Sequence, residues 1–259
     1  MRVKSANPWW KRGQRLWRRW RGFNQVKTHR VDWVFDEDTR YKRVTFETAS
    51  EAESVAHALM ALSDSGCFSS LIKHDAHEVW VGFVEEDHSP IPLHQALAEF
   101  FRALYTATGQ PVDGAVDAQV WLQQLKSDLM KLQTQYGVGS DFCEALLASA
   151  NKKAPKTVLC GFDYVDAVAK NFVIHDGAAI GIDIEAIHTN EGLGLGLAKA
   201  EYRGLIDPME GLLESLLNQS VVDQYPFMRL CFGARYVREK FEQGKKKHIH
   251  LDTIQSWFE

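Results

Sequence analysis

The most constraining feature of this chain is a stretch near its middle where three oxygen-bearing side chains stand at fixed spacing around a tight turn. It runs Thr157-Val-Leu-Cys-Gly-Phe-Asp-Tyr-Val-Asp166-Ala-Val-Ala-Lys-Asn171-Phe-Val-Ile-His-Asp-Gly177-Ala-Ala-Ile-Gly-Ile-Asp183-Ile-Glu185. Asp166 precedes Asn171 by five residues, and Asn171 opens the apolar run 172–174. His175-Asp-Gly177 has the chemistry of a tight hairpin turn. The run 179–182 then returns and ends on Asp183. A hairpin of this length brings Asn171 and Asp183 to the same end. Amide and carboxylate oxygens suit a hard cation such as Mg2+, which keeps room for substrate phosphates. Asp166 beside them can orient or deprotonate an attacking hydroxyl. The plainer reading makes Asp166 and Asn171 turn formers and Asp183 a strand-end cap.

The order of elements narrows the fold. The runs 30–35 and 40–46 alternate in polarity around the turn 36–39 and predict a hairpin. Ser50 and Glu53 have capping-box spacing, and Val55, Leu59 and Leu62 give the following helix an apolar face. Strands are expected over 69–72 and 78–84. Beyond the polar linker 85–90 the pattern becomes helical over 93–107, 118–136 and 141–150. A short strand is expected at 157–160, and helices at 195–206, 209–217 and 228–242. The sequence therefore predicts an α+β chain in three parts. Residues 1–24 are a basic, Trp-rich amphipathic segment. Residues 25–87 are a β-rich lobe with one helix, and residues 88–259 a larger helical lobe that carries the stretch above.

Charge is unevenly spread. Residues 1–23 hold eight Lys and Arg and no acid, leaving 22 basic against 34 acidic residues on 24–259. Four of the eight tryptophans fall in the same segment. On a helix, Trp9, Leu16, Trp20 and Phe23 fall within about 60° of one another, with Lys11, Arg15 and Arg18 opposite. Trp with Arg suits an anionic membrane surface, through Trp9, Trp10, Arg12, Arg15, Trp17, Arg19 and Trp20. The same stripe would equally pack on the protein's own core. A nucleic-acid partner is not expected. Cys67, Cys143, Cys160 and Cys231 show no metal-type spacing and are expected to be reduced thiols. The stretch 244–250 is a basic surface turn, and a solvated role competes there with phosphate or glycan contact. No 18-residue apolar run and no apolar leader are present, which points to a cytoplasmic protein, peripheral at the inner face of the membrane.

The Asp166–Asn171–Asp183 pattern resembles the catalytic and metal loops of the protein-kinase-like fold, H-R-D-x-x-x-x-N followed by D-F-G. Asp183-Ile-Glu185 stands for D-F-G and looks more like the small-molecule and lipopolysaccharide core kinases than the regulatory protein kinases. Tyr164-Val165 stands where H-R is usual. The strand-strand-helix-strand-strand order looks like the small lobe of that fold. The resemblance implies a two-lobed architecture and binding of ATP and Mg2+. It assigns Asp166 as the catalytic residue and Asn171 and Asp183 as metal ligands. Lys42 would hold the phosphates, with Arg40 and Arg43 as rivals, and Glu53 would pair with it. Backbone groups of Gly82 and Val84 would face adenine. Residues 24–65 contain no glycine, so a Gly-rich phosphate cover cannot be built there. The activity implied is transfer of phosphate to a hydroxyl of a sugar, a lipopolysaccharide-like glycolipid or another small molecule. The alternative is a pseudokinase serving as a membrane-associated binding or scaffold module.

Overall fold

The computed structural model describes residues 2–5, 29–36, 39–87, 91–108, 114–208, 211–216 and 218–259. The Trp-rich segment, and with it Trp9, Trp10, Arg12, Arg15, Trp17, Arg19 and Trp20, lies outside the described residues.

Five antiparallel strands form the first layer: β1 (Arg2–Ser5), β2 (Arg30–Asp36), β3 (Thr39–Thr45), β4 (Leu71–Asp75) and β5 (Glu78–Gly82). Their order is β1-β2-β3-β5-β4. β2 and β3 pair without a slip from Arg30 opposite Thr45 to Asp36 opposite Thr39. Period-two alternation then decides what each face carries. Val44 turns inward to the core with Lys42 on the same side of β3, while Val34 is buried on the opposite face, beside Asp32. Arg43 points the other way, to Asp32 at 2.9 Å.

Helix α1 (Ala49–Ala61) covers this sheet, burying Ala52, Val55, Ala56 and Leu59. Its capping box is Thr48 with Glu51, two residues earlier than the Ser50–Glu53 pair expected from spacing. Both pairs fit the pattern, but Thr48 is the residue with extended backbone (φ −121°, ψ 150°) that a cap requires. Gly66, at φ 69°, turns the chain out of the helix region. Phe68 follows, bridges to Gly181 and packs edge-on against Phe100 and Tyr164. An added Cβ on Gly181 would meet the Phe68 ring at 2.7 Å, so glycine is what permits this approach between the two layers.

The rest is mostly helical: α2 (Leu93–Thr108), α3 (Ala118–Tyr136), α4 (Ser140–Lys153), α5 (Leu195–Tyr202), α6 (Leu212–Ser215), α7 (Gln219–Glu242) and α8 (Leu251–Gln255). Among these helices lie a small sheet, β10-β7-β6, and the hairpin β8–β9. Its strands are β6 (Ala115–Asp117), β7 (Thr157–Tyr164) and β10 (Ile187–Gly192). The hairpin is β8 (Phe172–His175) and β9 (Ala178–Gly181). β7 runs four residues beyond its expected end because β10 pairs with it. β10 reads Ile-His-Thr-Asn-Glu-Gly, too polar for alternation to reveal it.

α7 also exceeds expectation, beginning at Gln219 and passing through Pro226. Proline inside a helix costs roughly 3 kcal/mol. The buried face of Val221, Tyr225, Phe227, Met228 and Leu230 offsets that cost. Gln224 on α7 behaves like a strand residue. Its amide oxygen accepts from Leu159 N–H at 2.7 Å, and its NH2 donates to the carbonyls of Leu159 and Leu193 at 3.1 and 2.8 Å. The four cysteines are buried and free. No helix among the described residues is long and apolar enough to cross a membrane.

Candidate active site

β7 delivers the chain to Asp166, and the next residues build a loop around it. Asn171 ends a short 3-10 turn (Ala169–Asn171) and is buried. Its side-chain NH2 donates to the Asp166 carbonyl at 2.8 Å and to Asp166 Oδ2 at 3.2 Å. Both amide hydrogens face the loop, and Asn171 Oδ1 is the end available to a cation. The turn Asp176-Gly177 has φ of 49° and 76°, the left-handed pair that a two-residue hairpin needs. β8 and β9 then pair from Phe172 opposite Gly181, and Ile182 N–H donates to the Asn171 carbonyl at 2.9 Å. Asn171 and Asp183 accordingly stand at the same end of the hairpin.

Lys42 reaches this end from the other layer. Its ammonium donates to the Ile182 carbonyl at 2.6 Å and meets Glu185 Oε2 at 3.2 Å. Its rivals are engaged elsewhere. Arg40 pairs with Glu85 at the surface, and Arg43 pairs with Asp32 and lies over Trp80. The partner of Lys42 is therefore Glu185, not Glu53, which is exposed on α1. A helix with buried Val55 facing inward offers Lys42 no carboxylate, and the acid two residues past Asp183 supplies one instead. Burial pushes the Glu185 carboxyl up, but Lys42, a hydrogen bond with Asp183 and nearby His29 outweigh it and hold it below the usual glutamate range. A cleft of about 450 Å³ opens beside the pair, walled by His29, Glu51, Val55, Glu185 and His188. Asp166, Asn171 and Asp183 lie outside its walls.

Two consecutive β7 residues, both fully buried, hold the site from opposite sides. The Tyr164 hydroxyl donates to the Asn171 carbonyl at 3.0 Å and accepts from Asp183 N–H at 3.2 Å. Burial, together with the charges of Asp183, Glu185 and Asp166, keeps this phenol protonated. Tyr164 thus braces the Asp166–Asn171 loop against the Asp183 loop, where the resembling pattern has histidine. Asp163 turns the other way. Its Oδ2 accepts from Gly194 and Gly196 N–H at 3.1 and 3.0 Å, capping α5, and Oδ1 accepts from Tyr164 N–H and the Tyr105 hydroxyl. A Cβ on Gly196 would meet the Tyr164 carbonyl at 2.3 Å, so glycine alone allows the cap to close. Burial drives the Asp163 carboxyl up to about 6 despite these donors.

α5 in turn carries Lys199, whose ammonium lies 3.6 Å from Asp166 Oδ1. Burial is the main reason its pKa falls to about 8, with Lys240 and Arg203 adding to the fall and Asp166 opposing it. Glu185, Asp163 and Lys199 were not among the residues expected from sequence. The available signals were a second acid after Asp183 and a lone lysine in the apolar run Leu193–Ala200. The remaining expected residues frame the linker. Gly82 ends β5 with its N–H on the Ser70 carbonyl, and Val84 follows one residue past exposed Phe83. The linker docks on the hairpin through Asp87 N–H to the Ile174 carbonyl at 2.9 Å.

No family model matches the chain, and no curated protein does. Solved structures do. A thermostable mutant of an aminoglycoside phosphotransferase, in ternary complex with ADP and hygromycin B, superposes with a TM-score of 0.60 at 10% identity, covering 91% of both chains. A macrolide 2'-phosphotransferase from Brachybacterium faecium gives 0.55 at 10% identity, with 90% of this chain and 89% of that one covered. A choline kinase from Streptococcus pneumoniae gives 0.51 at 11% identity, covering 99% and 94%. The five-stranded layer, the braced Asp166 loop and these superpositions agree that the chain has the protein-kinase-like fold.

Proposed function

We propose that this protein is an ATP- and Mg2+-dependent phosphotransferase acting on a hydroxyl of a sugar, glycolipid or other small molecule. The observation that carries the reading is convergence. Lys42 from one layer closes on the Ile182–Glu185 loop, while Asn171 is tied to Asp166 on the other side of Asp183. Asn171 Oδ1 and the Asp183 carboxylate fit a Mg2+ site completed by phosphate oxygens. Bound there, Mg2+ would neutralise phosphate charge. Lys42 would hold the phosphates, and Asp166 would accept the hydrogen bond of the acceptor hydroxyl and aim it. Glu185 keeps the Lys42 ammonium in place. The fold neighbours, all named as phosphotransferases or kinases of small molecules, support the same reading.

The pseudokinase alternative draws on the lack of glycine in residues 24–65. The braced arrangement of Asp166, Asn171 and Asp183 weighs against it. Calorimetry with Mg–ATP on wild type and Asp183→Ala separates the two. Metal-dependent binding that disappears in the variant is expected. Folded wild type that binds no nucleotide would leave the pseudokinase reading. Asp166→Ala should keep nucleotide binding and lose turnover by roughly 10² to 10⁴-fold.

A further inference from the structure

Asp166 has two flanks, and the proposed phosphotransferase uses only one of them. Oδ2 faces Asn171 and the metal hairpin. Oδ1 faces Lys199 on α5. Lys199 is only 10% exposed at its side chain, whereas Asp166 is 46% exposed. Beyond Lys199 the surface is basic. The Tyr236 ring on α7 receives the Lys199 ammonium at 4.4 Å from its centroid and the Lys240 ammonium at 4.8 Å. The Tyr236 hydroxyl donates to the His248 carbonyl at 3.5 Å, and exposed Arg203 acts electrostatically on Tyr236, Lys199 and Lys240. The acids among these groups are Asp166 itself and Glu239. Lys199, Arg203 and Lys240 repel one another, and Lys199 also bears the cost of burial. Asp166 at 3.6 Å and Glu239 leave the cluster with net positive charge, which a bound anion would meet.

Resting on the phosphotransferase reading, we propose that the acceptor is an anion. The hydroxyl presented to Asp166 belongs to a molecule that also bears a phosphate or carboxylate, and this group docks on Lys199, Arg203 and Lys240. The cluster lies on the Oδ1 side, away from Asn171 and Lys42, so it serves the acceptor rather than the nucleotide. An acceptor of this class is charged oppositely to the amino sugars of an aminoglycoside. The anion can belong to a free sugar phosphate or to a lipid headgroup, because the docking chemistry is the same.

The test uses the full chain with saturating Mg–ATP analogue and four probes: glucose 6-phosphate, glucose, glucosamine, and phosphatidylglycerol vesicles. At least one phosphate-bearing probe should bind tenfold or more tightly than glucose and glucosamine. The double variant Arg203→Glu/Lys240→Glu should remove that preference, and the exposed Arg203→Ala alone should weaken it several-fold, with the Kd for Mg–ATP changed less than twofold. Preference for glucose 6-phosphate points to a soluble acceptor, and preference for vesicles to a lipid-borne one. Vesicle binding that survives in the double variant does not count as docking on this cluster. No anion preference, or variants that weaken Mg–ATP instead, would overturn the proposal. The two readings fail separately. Mg–ATP binding without anion preference sinks only the anionic acceptor. Cluster-dependent anion binding without any Mg–ATP binding sinks only the phosphotransferase.

Discussion

The two flanks of Asp166 are built by neighbouring residues of one strand in different ways. On the Asn171–Asp183 flank, the proposed metal side, Tyr164 uses a neutral hydroxyl to join two loops, and Lys42 reaches Glu185 from the other layer. On the acceptor flank, Asp163 uses a buried carboxylate to cap α5, which carries Lys199. The first flank sets Lys42 and His29 against Glu185. The acceptor flank gathers like charges. In the proposed reading the first flank holds its lysine in place before any ligand arrives, while the second gathers like charges that await something of opposite sign.

The largest expected effect on stability tests the paired flank. Lys42→Met leaves Glu185 buried beside Asp183 without its cation, and should lower unfolding free energy by about 3–5 kcal/mol in denaturant titration. A loss under 1 kcal/mol would show that the pair is not what holds the layers at this point.

Asp163 should make the acceptor flank pH-sensitive. Its folded pKa of about 6 lies above the ordinary aspartate value of 3.8. Its contribution to stability is therefore fully present below pH 3.8 and is lost as pH rises through 6, by roughly 3 kcal/mol across the interval. Asp163→Asn should be less stable throughout, because its NH2 opposes the Gly194 and Gly196 N–H groups. It should lack this particular pH dependence. The difference between the two proteins, followed by urea titration from pH 4 to 7, should shift by that amount. A flat difference would contradict the assignment.

Tyr164→Phe tests the brace more gently. Removing one hydroxyl leaves Asp183 N–H and the Asn171 carbonyl without it, which costs about 1–3 kcal/mol. Turnover should fall more than the affinity for Mg–ATP if the hydroxyl sets the spacing between Asp166 and Asp183. Equal, small changes in both would reduce Tyr164 to a packing residue.

Glu53→Ala should do least. Glu53 is exposed and Lys42 is paired elsewhere, so stability should change by no more than about 0.5 kcal/mol and nucleotide affinity should hold. A tenfold loss of affinity would restore Glu53 to the site.

The same contrast explains what the sequence revealed. The hairpin between Asn171 and Asp183 is local, and its turn needs a residue pair that Asp176-Gly177 announces. Lys42 was singled out by the resemblance, and strand alternation puts it on the Val44 face of β3. The helix cap was misplaced because a capping-box spacing fits both Thr48–Glu51 and Ser50–Glu53, and spacing cannot tell which residue is extended; the pairing of Glu53 with Lys42 rested on the resemblance alone. The proposed acceptor flank was hidden because Lys199 on α5 and Arg203 at its end are distant in sequence from Lys240 on α7, and their meeting depends on how α5 and α7 pack. β10 was hidden because its partner, not its own pattern, makes it a strand.

Gln224 ties that packing to something observable. The amide of Leu159 gives its hydrogen to a side chain on α7 rather than to another strand. Its neighbours in β7 are protected by the ladder, which survives as long as the small sheet does. Leu159 is protected only while α7 is seated. Its hydrogen exchange rate, compared with those neighbours, would therefore gauge how often the helix bearing Tyr236 and Lys240 lifts away.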